Sequence, residues 1–260
     1  MLIPRLIDNL LAKDNYRNIS EAKKIHQRAV KEYNSAKKKY EREITNVQRR
    51  MDRVETLRMD IGFAFNDFSA LFEQIKNKPQ FGELRQEVGY INNLELEDMH
   101  ANYYYKQYLT QFAASYFLGP LSGILLSDWS EDLIDDAQDF AEEVGEEIDK
   151  INKGIEFLTA LSDVTSRYEN SLLNVKTQYN IHLSQLRNIV EIQRKTDYLT
   201  YTPSEKKLLE NTVLLTGLLN EMCKVQLCQR NANSVRDVNN QEVDNAIQKA
   251  DTVLNRVQNN

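Results

Sequence analysis

Residues 107–127 read QYLTQFAASYFLGPLSGILLS and carry no charged side chain. On either side lies a long stretch of helical apolar spacing, Asn18–Asn77 before it and Asp128–Arg194 after it. Gly119-Pro120 breaks the apolar stretch near its middle, because proline cannot continue a helix and glycine weakens one. Each arm is then about ten residues, too short to cross a bilayer core of ~30 Å. The reading is two long amphipathic rods joined by an apolar hairpin.

The periodicity of each rod supports this. In the first, Ala22, Ile25, Ala29, Tyr33, Ala36, Tyr40, Ile44 and Val47 follow in steps of three and four. Met51, Val54, Arg58, Ile61, Phe65, Phe68, Phe72 and Ile75 continue as heptads, with Arg58 the exception and Leu57 beside it. Some 60 residues at about 1.5 Å each make a rod of roughly 90 Å. Asn77-Lys78-Pro79 should end it, since the residue before proline resists the helical region. Asn18 with Glu21 offers a capping box at its start. That leaves residues 1–17 as a short amphipathic segment with Leu6, Ile7, Leu10 and Leu11 on one face.

The second rod carries Leu133, Ala137, Phe140, Val144, Ile148, Ile151, Ile155, Leu158 and Leu161. Heptads follow through Thr165, Tyr168, Leu172, Val175, Tyr179, His182, Leu186 and Ile189. Asp128 and Glu131 have the offset of a capping box. Thr165 and Gln193 are expected to set register as polar seam residues. Further on, Thr202-Pro203-Ser204-Glu205 is a helix start with a cap, a proline at the first position and a closing carboxylate. The helix it opens is apolar over a broad face and should be buried. A last amphipathic stretch runs from Val243 to Val257.

Composition agrees with long helices. Eight Gly and four Pro in 260 residues leave few turns. The expected fold is all-α: an elongated antiparallel helical bundle led by two very long helices, with an apolar hairpin tip. Its parts are an N-terminal segment 1–17, the bundle 18–196 with its hairpin near 107–127, and C-terminal helices 197–260 packing on the bundle.

Charge is uneven. The net charge is −6, which speaks against free nucleic acid as a partner. Between Glu21 and Arg58 basic residues outnumber acidic ones, whereas Asp128–Asp149 holds eleven acidic residues and no basic one. Runs of this kind are first of all solvated helix faces, and two of opposite sign are expected to attract each other as antiparallel neighbours, which favours one pairing over others. Cys223 and Cys228 stand five apart, which fits no CxxC motif, and read as free thiols of a reducing compartment. MLIPRLIDNLLAK is interrupted by Arg5, Asp8 and Asn9 and is no signal peptide, so a cytoplasmic protein is expected, peripheral to the membrane if its tip inserts.

The sequence shows no catalytic constellation. His26, His100 and His182 have no ligand-like neighbours, and no nucleotide, hydrolase or zinc motif is present. Neither metal nor cofactor is implied. The candidate site is the apolar tip: Phe112, Tyr116, Phe117, Leu118, Leu121, Ile124, Leu125 and Leu126. Trp129 follows it, and Tyr103, Tyr104, Tyr105 and Tyr108 precede it. Aromatic belts mark membrane interfaces, and exposed apolar patches mark membrane or protein contacts; the bland reading is that these residues close the bundle as core.

The segment Asp67-Phe68-Ser69-Ala70-Leu71-Phe72-Glu73-Gln74-Ile75-Lys76-Asn77, the apolar hairpin, a second rod, and Asp197-Tyr198 leading into Ser204-Glu205-Lys206-Lys207-Leu208-Leu209 follow in this order. The order resembles an uncharacterised bacterial family of long-helix coiled-coil proteins with a central hydrophobic hairpin. That hairpin is Gly/Ala-rich in the family; here it is short, with only Gly119 and Gly123. The resemblance implies a fold and no activity. In architecture alone the layout is similar to haemolysin-type helical pore-forming toxins. The expectation is a non-enzymatic helical interaction protein whose tip, residues 107–127, engages a membrane lipid or a protein partner, including a second copy. An effector of a bacterial toxin or defence system is one form of it. The alternative is a structural coiled-coil scaffold with a buried tip, and a third class is an enzyme assembled from scattered polar residues.

Overall fold

The computed structural model describes residues 3–79, 81, 133–230 and 236–259. Helix α1 spans Ile3–Gln74 and α2 spans Leu133–Arg187. A π-helical turn, Asn188–Ile192, continues α2, and a 3-10 turn follows at Tyr198–Thr200. Then come α3, Pro203–Lys224, and α4, Asn240–Gln258. Between them β1, Cys228–Arg230, pairs antiparallel with β2, Arg236–Val238. The fold is all-α apart from this small ribbon.

No break separates residues 1–17 from the first long helix. Residues 5–61 contain neither Gly nor Pro, so nothing interrupts the backbone hydrogen bonding, and the expected cap at Asn18 is an ordinary helical turn. The expected stop is present: α1 ends at Gln74, Ile75 N–H donates to the Phe72 carbonyl at 3.2 Å, and Asn77 takes the left-handed conformation with φ 56°. The start of α3 also agrees. The Thr202 side chain accepts from Glu205 N–H at 3.3 Å while the Glu205 carboxylate accepts from Thr202 N–H at 2.7 Å.

The contacts group the chain into two compact units, Met1–Asn46 with Tyr108–Thr159, and Val47–Gln107 with Ala160–Asn260. In the first unit, His26 stacks on Phe140 at 4.4 Å between ring centroids. Ala29, Phe140 and Val144 form a small core that Val30, Tyr33, Ala141 and Ile148 flank. Further along, Tyr40 is buried against Gly154. Residue numbers therefore rise together along α1 and α2.

The second unit has the same sense. Arg53 makes a two-pronged contact to Glu169 at 2.6 and 3.1 Å, and Lys176 reaches Asp60 at 2.7 Å, each pair 116 residues apart. Tyr179 donates to the Ala64 carbonyl at 3.1 Å, and Arg187 reaches Asp67 at 2.8 Å. Lys76 and Asp197 form a parallel bridge.

In both units the two helices are parallel, and the antiparallel pair expected from sequence is overturned. An apolar seam reads the same in either direction, so periodicity carries no sign of orientation. Parallel helices cannot be joined by a tight turn. The expected apolar hairpin near 107–127 lies outside the described residues.

Within the second unit the middle of α3 is enclosed on all sides. Residues 211–220 are buried without exception, including Thr212 and Thr216, whose hydroxyls donate to the Leu208 and Thr212 carbonyls at 2.7 Å. A helix apolar over a broad face belongs inside a core. On α4, Val243, Ala250 and Val257 recur every seven residues and are the buried ones.

Candidate functional site

The tip residues Phe112, Tyr116, Phe117, Leu118, Leu121, Ile124, Leu125, Leu126 and Trp129 lie outside the described residues. Two polar constellations in the second unit are described, one internal and one at the surface.

The internal one centres on Arg58. It stands at a heptad position of α1, and at 1% exposure the seam buries it. Its guanidinium donates to the Val225 carbonyl at 2.8 Å and lies 5.6 Å from the Tyr168 ring centroid. Tyr168, fully buried on α2, donates to the Met222 carbonyl. Val225 is the C-cap of α3, so Arg58 and Tyr168 together satisfy carbonyls at its C-terminal end. The Met222 carbonyl also accepts from the Val225 N–H at 3.1 Å, and the negative end of a helix dipole favours a cation. Glu55, one turn before Arg58, comes within 4.0 Å. The Arg58 Nε is buried without a hydrogen-bond partner. Burial pushes the Tyr168 hydroxyl up to about 12, with nearby Arg58 opposing.

The two thiols are in the same interior. Burial pushes Cys223 up to about 12, with Arg58 opposing, and Cys228 likewise up to about 12, assisted by Asp237. A thiol so raised stays protonated at neutral pH and is a poor nucleophile or ligand.

The surface constellation lies where α1 and α2 end. Lys76 N–H donates to the Thr196 carbonyl at 2.7 Å and Tyr198 N–H donates to the Lys76 carbonyl at 3.1 Å. Asn77 donates from its side chain to the Asp197 carboxylate at 3.0 Å, and Leu199 N–H donates to the same oxygen at 3.0 Å. These bonds, that of Asn77 first, hold the Asp197 carboxyl below its ordinary range. Lys195 bonds Glu205 at 2.6 Å and lowers it likewise. Tyr201 donates to the Lys195 carbonyl at 3.0 Å, and burial, then Glu205, pushes its hydroxyl up to about 12.

Among the described residues, three other than glycine adopt positive φ, and all are here: Asn77, Phe81 and Arg194. Arg194 follows the π turn, where Lys195 N–H reaches back to the Ile189 carbonyl at 3.0 Å. This closes α2 in the manner of a left-handed helix cap without glycine. Phe81 packs on Phe72 with centroids 6.0 Å apart, and Lys78 lies 4.7 Å from the Phe72 centroid. Beside this clamped backbone, Ile192 and Leu199 are 75% and 69% exposed.

The segments Asp67–Asn77 and Asp197–Tyr198, distant in the chain, meet at the Lys76–Asp197 bridge, a meeting that the sequence reading did not foresee. That reading also missed the exposure of Ile192 and Leu199, because helical spacing continues through Ile189 and gives no sign of the π turn. Gln193 lies beyond the seam and is exposed. Thr165 is buried on the seam but donates to its own helix at Leu161, 2.7 Å, and so fixes no cross-helix register. His182 is half-buried, with Nδ1 2.9 Å from the Gln178 carbonyl on its own helix. For Arg58 the signal was present: a long cation at a heptad position marks a burial that needs a reason.

Among the described residues no group of His, Cys, Asp and Glu is placed to hold a metal ion, and no helix is long and apolar enough to cross a membrane. The chain matches no protein-family model, no curated protein and no solved structure.

Proposed function

We propose that this protein is a non-enzymatic helical interaction protein that docks on a membrane or a protein partner through apolar surface. The observation that carries the reading is the junction at the ends of α1 and α2. Two aliphatic side chains, Ile192 and Leu199, are held out in water on a backbone clamped by hydrogen bonds and by three strained residues. Left-handed conformations at residues other than glycine persist only where the surroundings enforce them, and they cluster at binding sites. Exposing a large aliphatic forgoes about 1.5–3 kcal/mol that a partner's surface would recover. The charge-free segment 107–127 is the second apolar contact in this reading, and a toxin or defence effector that meets lipid is its membrane form.

The test uses the full chain with liposomes and with itself. Co-sedimentation that disappears in Phe117→Asp/Leu121→Asp, with helicity unchanged, supports the membrane form. A concentration-dependent mass in solution that falls to the monomer in Ile192→Asp/Leu199→Asp supports protein docking. A monomer that ignores liposomes and unfolds when Phe117 and Leu121 are replaced would leave a scaffold with a buried apolar segment.

A further inference from the structure

We infer that the first unit is held closed by attraction between two oppositely charged helices, so that ionic strength opens it while the second unit stays folded. The inference is independent of the docking proposal. Along α1, residues 17–46 carry nine Lys and Arg against four Asp and Glu. Along α2, residues 133–159 carry nine Asp and Glu against two Lys. The parallel register sets these stretches side by side: His26 meets Phe140 and Tyr40 meets Gly154. An antiparallel register would have placed the basic stretch against a later, less acidic part of α2.

Each stretch is crowded with its own sign. Lys37, Lys38 and Lys39 are consecutive, and Asp139, Glu142, Glu143 and Glu146 are all exposed. Like charges one turn apart destabilise a helix, and a neighbour of opposite sign relieves that repulsion.

The seam of the first unit alternates Ala22, Ala29 and Ala137, which bury little area, with larger residues such as Tyr40, Phe140, Ile151 and Leu158. The second unit contrasts with this. Its helices carry Phe65, Phe68, Leu71, Leu172 and Leu186 on the seam and the buried Arg58 and Tyr168 bonds to the end of α3, beside which surface pairs such as Arg53–Glu169 add little. Exposed charges are screened within about 30 Å at 0.01 M salt and 3 Å at 1 M, so the attraction in the first unit is the term that salt removes.

The experiment is hydrogen exchange of the full chain in roughly 0.01 M and 1 M NaCl, followed by peptide. Exchange in 17–46 and 133–159 is expected to speed by about tenfold or more at high salt, while 160–187 and 203–224 change by about twofold or less. Lys24→Glu/Arg28→Glu/Lys31→Glu should open the first unit at low salt, and adding Asp139→Lys/Glu143→Lys/Glu146→Lys should restore protection. A first unit indifferent to salt, an equal response in both units, or a second triple that restores nothing overturns the inference. The salt series uses the native chain, so a variant that fails to fold leaves the test intact.

Discussion

Arg58 shows how much one side chain can hold. It is a buried cation whose stability depends on the carbonyl it reaches and on the dipole of α3. Replacing it with Met keeps an apolar seam but strips the Val225 carbonyl of its donor. Arg58→Met should therefore destabilise by about 1–3 kcal/mol in urea unfolding, and Tyr168→Phe by about 1 kcal/mol or somewhat more for the bond to Met222. If Arg58→Met were neutral, the cation would be a tolerated passenger. Two glycines make an opposite pair. A Cβ on Gly154 would lie 2.7 Å from the Tyr40 ring, whereas one on Gly145 would meet nothing within 4 Å. Gly154→Ala should cost stability by displacing Tyr40, with overpacking typically costing about 1–3 kcal/mol. Gly145→Ala should raise it by about 1 kcal/mol, the ordinary helix preference for alanine. Thermal unfolding of the two variants checks both signs.

At the scale of elements the orientation of α1 and α2 is the decisive point. Arg53 and Glu169 are in contact, and so are Asp60 and Lys176. Arg53→Cys/Glu169→Cys should be bridged within one chain by a short bifunctional thiol crosslinker that spans the lost Arg–Glu pair; failure to bridge with the fold retained would count against the parallel register. The seams themselves were legible. Ala22, Ala29, Tyr40, Val47, Val54, Ile61, Phe65 and Phe68 on α1, and Ala137 through Ile189 on α2, are buried almost position for position as their spacing demands. Orientation was not legible from them, because a stripe of apolar residues at 3.5 or 3.6 spacing is unchanged by reversal. The charge runs, expected to attract as antiparallel neighbours, lie side by side in the parallel register instead. The end of α2 was hidden for another reason. A π turn inserts one residue into a hydrogen-bond ladder, and no residue type in Asn188–Ile192 announces it.

For the whole molecule, the two thiols provide a test of folding. Both are buried in the second unit and pushed up to about 12, so a thiol reagent at neutral pH should label native protein slowly. Labelling should accelerate where denaturant unfolds that unit; fast labelling of the native chain would contradict the burial. The amino-acid sequence by itself determined the helical class, the end of α1 near Asn77, the capped start of α3 at Thr202 and the seam residues of both long helices. These follow from local physics: backbone preferences around Pro and Gly, side chains that bond the nearest free N–H, and the period at which a helix repeats one face. Only the tertiary structure decided that α1 and α2 run the same way, that Arg58 reaches across to close α3, and that Asn77 meets Asp197 across 120 residues of chain. Those outcomes depend on which surface lies opposite a given residue. That is set by the packing of whole elements, to which spacing along one helix is blind.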